Sequence, residues 1–229
     1  MTAVDAGSTP MPSVESRAAV LARALIMAGT IVVIVALSLL PLLTPWFVHP
    51  TLDAAQSAAW LGSSQVQAHA LSDRTVAELV LGPGTFAFAG LDGAPFYDTA
   101  ERAHMQDART LLLLLFAAAL LSAIGLGRAL NRGERAATLR AISTGGGITV
   151  VAVLVIGVFG LFAFEPLFEL FHRIFFPGGN WAFDPRTEHL VQLYPYAFWQ
   201  LDAAALGVLA LLLGAATWRL ARRPARGAA

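Results

Sequence analysis

Five histidines, His49, His69, His104, His172 and His189, are the side chains of this chain that titrate near neutral pH. Two of them sit where acid–base chemistry is conceivable. In "ERAHMQDAR", Glu101, His104 and Asp107 recur every three residues, which on a helix places them on one face. An acid at that spacing can accept the imidazole Nδ1–H, fix the tautomer and leave Nε2 as a base. In "FELFHRIFFPGGNWAFDP", Glu169 stands three residues before His172 and four before Arg173. It can orient the ring or pair with the arginine. The Pro-Gly-Gly turn that follows is expected to bring Asn180, Trp181 and Asp184 back over His172.

On spacing alone, the plainer reading of the first face is a solvated helix start. Acids near a helix N-terminus complement its dipole, so Glu101 needs no further role. His104 is harder to dismiss, because histidine has no propensity advantage there. Other chemistries leave no trace. The chain has no cysteine, hence no thiolate nucleophile or Cys-ligated metal. It has no G-x-S-x-G motif and no phosphate-cradling glycine loop. A mixed metal site of His104, His172, Asp107 and Asp184 would lack any close ligand pair such as HExxH, so neither metal nor cofactor is expected. The formal net charge is zero, which gives no reason to expect nucleic acid as a partner.

The elements that must position these residues are membrane spans. Of the 229 residues, 57% are hydrophobic and only 13% charged, against about 25% charged in soluble domains, and the mean hydropathy is +0.66. The expected fold is an all-α membrane protein of four transmembrane helices with a small extracytoplasmic cap of short helices, a short β-hairpin being the further option within that cap. The spans fall in uncharged runs long enough to cross the hydrocarbon. They are Ala24 to Leu43, Thr110 to Gly127, Ile148 to Phe164, and Ala203 to Trp218 extended back through Tyr196. The first is longer than the apolar core of a signal peptide and is read as an uncleaved helix. "STGGG" before the third reads as loop. The organisation is then an N-terminal tail 1–19, spans 20–43, 109–128, 147–165 and 197–219, a cap segment 44–108, an inner loop 129–146, an interfacial helix and motif loop 166–196, and a C-terminal tail 220–229. Gly125, Gly127, Gly157 and Gly160 are expected to let spans approach closely.

Arginines orient the chain. Ten of the fifteen (Arg17, Arg23, Arg128, Arg132, Arg135, Arg140, Arg219, Arg222, Arg223, Arg226) lie on one side, which should be cytoplasmic with both termini. All five histidines then fall outside. In the cap segment, Thr75 and Glu78 have capping-box spacing for a short helix over 72–81, "TFAFAG" and "LDGAPFY" alternate like a hairpin, and Asp98 or Thr99 could start a helix running into the second span. In the later segment, Leu167, Leu170, Phe171, Ile174 and Phe175 form one apolar side suited to the lipid boundary. Trp181, Tyr194, Tyr196 and Trp199 suit an aromatic belt.

"ERAHMQDAR" before the second of four spans, together with "LFHRIFFPGGNWAFDPRTEHLVQLYPYAFW" between the third and fourth, resembles the Lit family of bacterial integral membrane proteins, whose namesakes are lipoprotein intramolecular transacylases. The resemblance covers all four spans in order. It implies an outer-leaflet acyltransferase that moves an acyl chain from the diacylglyceryl group of a lipoprotein to its N-terminal cysteine amine. It also implies that His104 and His172 are the catalytic residues, and that the partners are membrane lipid and the acylated N-termini of lipoproteins. Arg102, Arg173, Asn180 and Trp181 are candidate oxyanion or headgroup contacts, with Asp107, Glu169, Glu101 and Asp184 as supporting residues. The competing reading is a non-enzymatic lipid-binding accessory whose histidines merely sit at the interface.

Overall fold

A computed structural model describes residues 16–132 and 134–222. Most of both tails, including Arg223 and Arg226, lies outside the described residues. The protein is an all-α, multi-pass membrane protein. Four helices are long and apolar enough to cross a bilayer: α1 (Arg17–Leu39, with a 3-10 turn extending it to Leu43), α5 (Thr99–Asn131), α6 (Arg135–Phe175) and α8 (Tyr196–Leu220). α1 packs on α5 and α6, and α6 packs along α8. Large apolar side chains such as Leu121, Val158 and Phe162 remain exposed on their outer faces, as lipid-facing residues should.

The expected loop at "STGGG" is helical instead, because α6 begins at Arg135. Glycine is a poor helix former in water, but here it lets backbones touch. A Cβ on Gly145 would fall 2.9 Å from the Met27 carbonyl oxygen, and one on Gly146 would fall 2.8 Å from that of Gly214. The glycines expected to do this are not the ones that do. A Cβ on Gly125, Gly127 or Gly157 would meet nothing within 4 Å, and one on Gly160 only a leucine side chain at 3.9 Å.

Between α1 and α5 the chain builds the cap from α2 (Pro45–Ala54), α3 (Ser57–Trp60) and α4 (Gln65–Val80). The helix expected over 72–81 starts earlier, at a capping box of Ser64 and Gln67. Thr75 is an interior residue whose hydroxyl meets the Tyr97 hydroxyl at 2.8 Å. The Glu78 carboxylate accepts from the Thr85 and Phe86 amides. The hairpin reduces to one isolated bridge, Ala89 with Pro95, because the loop is held by other groups. The Arg109 guanidinium donates to the Glu78 and Gly82 carbonyls at 3.0 and 2.7 Å. The Arg109 side chain packs so closely that a Cβ on Gly84 would lie 2.6 Å from its Cδ.

The cap and the segment after α6 share one apolar core around Leu52, Leu71, Phe86, Tyr97, Leu193 and Phe198. Hydrogen bonds span it, among them His189 Nδ1–H to the Phe96 carbonyl at 2.6 Å. The Ser72 and Tyr194 hydroxyls meet at 2.9 Å. The Glu101 carboxylate, 1% exposed, accepts the Leu190 amide of α7 (His189–Leu193) at 2.6 Å.

Candidate active site

His104 reaches the site from the first turns of α5. Asp98 caps that helix, its carboxylate accepting the Glu101 amide while Glu101 accepts the Asp98 amide, both at 2.7 Å. Glu101 therefore has a definite structural role, locking the start of α5 to α7, and His104 lies one turn further in on the same buried face.

His172 comes from the far end of α6. The helix breaks at Ala163, which has non-helical φ −144° and ψ 45°, and Pro166 falls in the first turn beyond, where its missing N–H costs nothing. The redirected stretch points Leu170, Phe171, Ile174 and Phe175 outward, all exposed. Phe168, His172 and Phe176, spaced by four, form the inward face.

The two rings meet with centroids 5.9 Å apart and planes inclined by 27°. Each is only 8% exposed. Phe176 packs on both rings, at 4.7 Å from His104 and 5.6 Å from His172. Phe183 lies edge-on to His104 at 5.6 Å, and Trp181 covers His172 at 5.0 Å. The turn thus returns Trp181 to the ring as expected, with Phe183 beside it.

The supporting acids do other work. Asp107 accepts from the Asn180 amide at 2.9 Å, and His104 Nδ1 is buried without a hydrogen-bond partner among the described residues. Glu169 pairs with Arg173 at 2.9 Å rather than orienting His172. That ring donates Nδ1–H to the Phe168 carbonyl at 2.7 Å. Asp184 is paired with Arg186 at 2.6 Å, not turned to the histidine. Arg102 bonds back to Asp98 and Thr99 and faces a shallow depression near His189.

Both rings lie outside the apolar runs of the spans. Burial pushes His104 down to about 4, with the neighbouring His172 adding to the shift and Asp107 opposing it. Burial also lowers His172, the bond to Phe168 acting against it. Both are therefore neutral at pH 7. With Nδ1–H committed to a carbonyl, His172 presents Nε2 as a lone-pair acceptor. His104 retains an unused nitrogen.

Sequence reasoning passed over Phe168, Phe176 and Phe183 as site residues. The first two were visible as the i±4 neighbours of His172. Phe183 carried no signal.

The chain is thus a four-span helical membrane protein with two neutral histidines from different helices buried together beneath a cap. The family model for lipoprotein intramolecular transacylase Lit matches residues 72–199, more than half of the chain and both histidines, and the chain belongs to that family. Its structure is similar to the in meso structure of the membrane integral lipoprotein intramolecular transacylase Lit from Bacillus cereus. The TM-score is 0.71 at 20% identity, covering 88% of this chain and 93% of that one. Two variants of the Bacillus cereus protein, with one histidine replaced by arginine or by alanine, match at TM-score 0.65 and 19% identity. They cover 88% of this chain and 89% and 91% of theirs. At such identity the likeness establishes a shared fold. No protein of curated function matches the sequence.

Proposed function

We propose that this chain is an extracytoplasmic acyltransferase that moves an acyl chain from the diacylglyceryl group of a lipoprotein to the α-amine of its N-terminal cysteine, with His172 and His104 as the acid–base pair. The observation that carries this reading is the pair itself, two buried, neutral rings 5.9 Å apart with ring nitrogens left unclaimed by the protein. Membership of the transacylase family supports the reaction class. The arginine distribution supports placing both termini in the cytoplasm and the site at the outer leaflet.

The chemistry needs no nucleophile from the enzyme, because the cysteine amine is one. His172 Nε2 takes an amine proton as nitrogen attacks the ester carbonyl, forming the N–C bond and an oxyanion. The C–O bond to the glyceryl oxygen then breaks, and that oxygen takes the proton back, directly or through His104. Donor and acceptor belong to one molecule, so holding the lipid in place supplies most of the required proximity. Trp181 and the phenylalanines exclude water that would hydrolyse the ester. The Asn180–Asp107 bond holds the returning loop on α5, and Arg102, on the depression near His189, suits a headgroup or peptide contact.

The test is expression in a strain lacking other lipoprotein N-acylation. The transfer is an isomerisation that leaves the intact mass unchanged, so lipoprotein N-termini must be read by tandem mass spectrometry. An acyl group on the cysteine amine and a monoacylated glyceryl group are expected. A free amine on an unchanged diacylglyceryl cysteine contradicts the transacylase reading and leaves the accessory reading standing.

A further inference from the structure

We propose that the end of the bundle opposite the histidines holds an anionic phospholipid, its phosphate gripped between Arg23, Arg132 and the first turn of α6. A cavity of about 270 Å³ lies there between α1, α5 and α6. Its polar lining is Arg23, Arg132, Glu134 and Thr138, and the remainder is alanine and Ile26.

Three observations point to an anion. Neither Arg23 nor Arg132 forms an ion pair among the described residues, so both guanidiniums at the cavity are open to an anion. Thr138 is 6% exposed, yet its hydroxyl has no hydrogen-bond partner among the described residues. Thr144 and Thr149 on the same helix bond back to carbonyls four residues earlier. Finally, α6 starts without a side-chain cap, since Glu134 at the N-cap position makes none among the described residues. The first amides of a long helix are thus left open at the cavity, where a phosphate oxygen can accept from them.

The occupant follows from charge and polarity. Two guanidiniums against one carboxylate leave a net positive site, and the alanine and isoleucine walls suit the start of an acyl chain rather than a hydrated ion. A phosphodiester with a net negative headgroup and hydrocarbon attached satisfies both, and the bilayer supplies it. Under the orientation proposed above the site faces the cytoplasmic leaflet. Its chemistry does not depend on acyl transfer at the other end.

The experiment uses the purified full chain in detergent. Thermal unfolding and native mass spectrometry are followed on titration with dioleoylphosphatidylglycerol, dioleoylphosphatidylcholine or inorganic phosphate. A saturable rise in Tm is expected with the glycerol lipid, at least about fivefold weaker binding with the choline lipid, and none with phosphate alone. R23Q/R132Q should weaken binding of the glycerol lipid by about tenfold with unchanged circular dichroism, and E134Q should strengthen it. Equal response to both lipids, a response reproduced by phosphate, or undiminished binding in R23Q/R132Q overturns the proposal. Should the double variant fail to fold, E134Q without any gain in preference overturns it equally.

Discussion

The molecule contains two histidine pairs, and they are built on opposite plans. In the cap, His49 and His69 stack with centroids 4.1 Å apart and planes within 7°. Each donates from Nε2 to a carboxylate of the other's helix, His49 to Asp73 at 2.8 Å and His69 to Asp53 at 2.7 Å. Those nitrogens are committed, the groups are partly exposed, and the pair reads as a cross-brace between α2 and α4. His104 and His172 are more deeply buried, and among the described residues no carboxylate is bound to either ring. Proximity of two imidazoles is therefore not a signature of chemistry. What distinguishes the candidate site is that its rings are buried among aromatic side chains and carry no carboxylate partner among the described residues.

The largest effect expected from this contrast is on turnover. H172Q should lower acyl transfer by roughly a hundredfold to ten-thousandfold, and H104Q by a similar order, measured as the initial rate of N-acyl product. The corresponding H49Q and H69Q should stay within about twofold of wild type. Equal losses in both pairs would erase the distinction.

The pH dependence sharpens it. A base must be unprotonated, and burial lowers the affinity of both site rings for protons below the ordinary 6.5. Protonation of these rings should add a loss of rate that sets in only below about pH 6.5, beyond the loss caused by protonation of the substrate α-amine, whose ordinary value is about 7.7–8.0. The same shifts act on stability with a definite sign. Below about 6.5 the unfolded chain binds protons that the buried rings refuse, so acid favours unfolding. For His104 that loss accumulates until about pH 4, where the folded ring also protonates. Tm of wild type should therefore decline more steeply than that of H104Q over this window, and parallel curves would contradict the burial account.

Smaller effects test the supports. E101Q keeps one acceptor oxygen where the buried Leu190 amide and the part-buried Asp98 amide need one each, so a loss of about 1–3 kcal/mol in denaturant unfolding is expected. D53N and D73N, in half-exposed pairs, should each cost under about 1 kcal/mol and leave the rate unchanged.

The four spans were legible because hydropathy over a span's length is a strong signal. The helical "STGGG" was not, because its glycines are explained only by partners such as Thr30 and Gly214, which sequence spacing does not reveal. The candidate histidines could be picked from local context and resemblance. Their meeting could not, because it depends on the kink at Ala163 and on Glu101 reaching Leu190, 89 positions away. Asp107 shows the limit of the i+3 argument. The spacing places it near His104, but its carboxylate turns to Asn180. The inward face of Phe168, His172 and Phe176 follows from their spacing by four, the complement of the lipid-facing side that carries Phe171 and Phe175.

The most direct measurement is a single-substrate assay. Purified wild type, H172Q and H49Q are each incubated with a diacylglyceryl lipoprotein, and the N-terminal peptide is fragmented by tandem mass spectrometry. The account predicts amide-linked acyl chain from wild type and H49Q and none above background from H172Q. Amide-linked product from H172Q at the wild-type rate would contradict it.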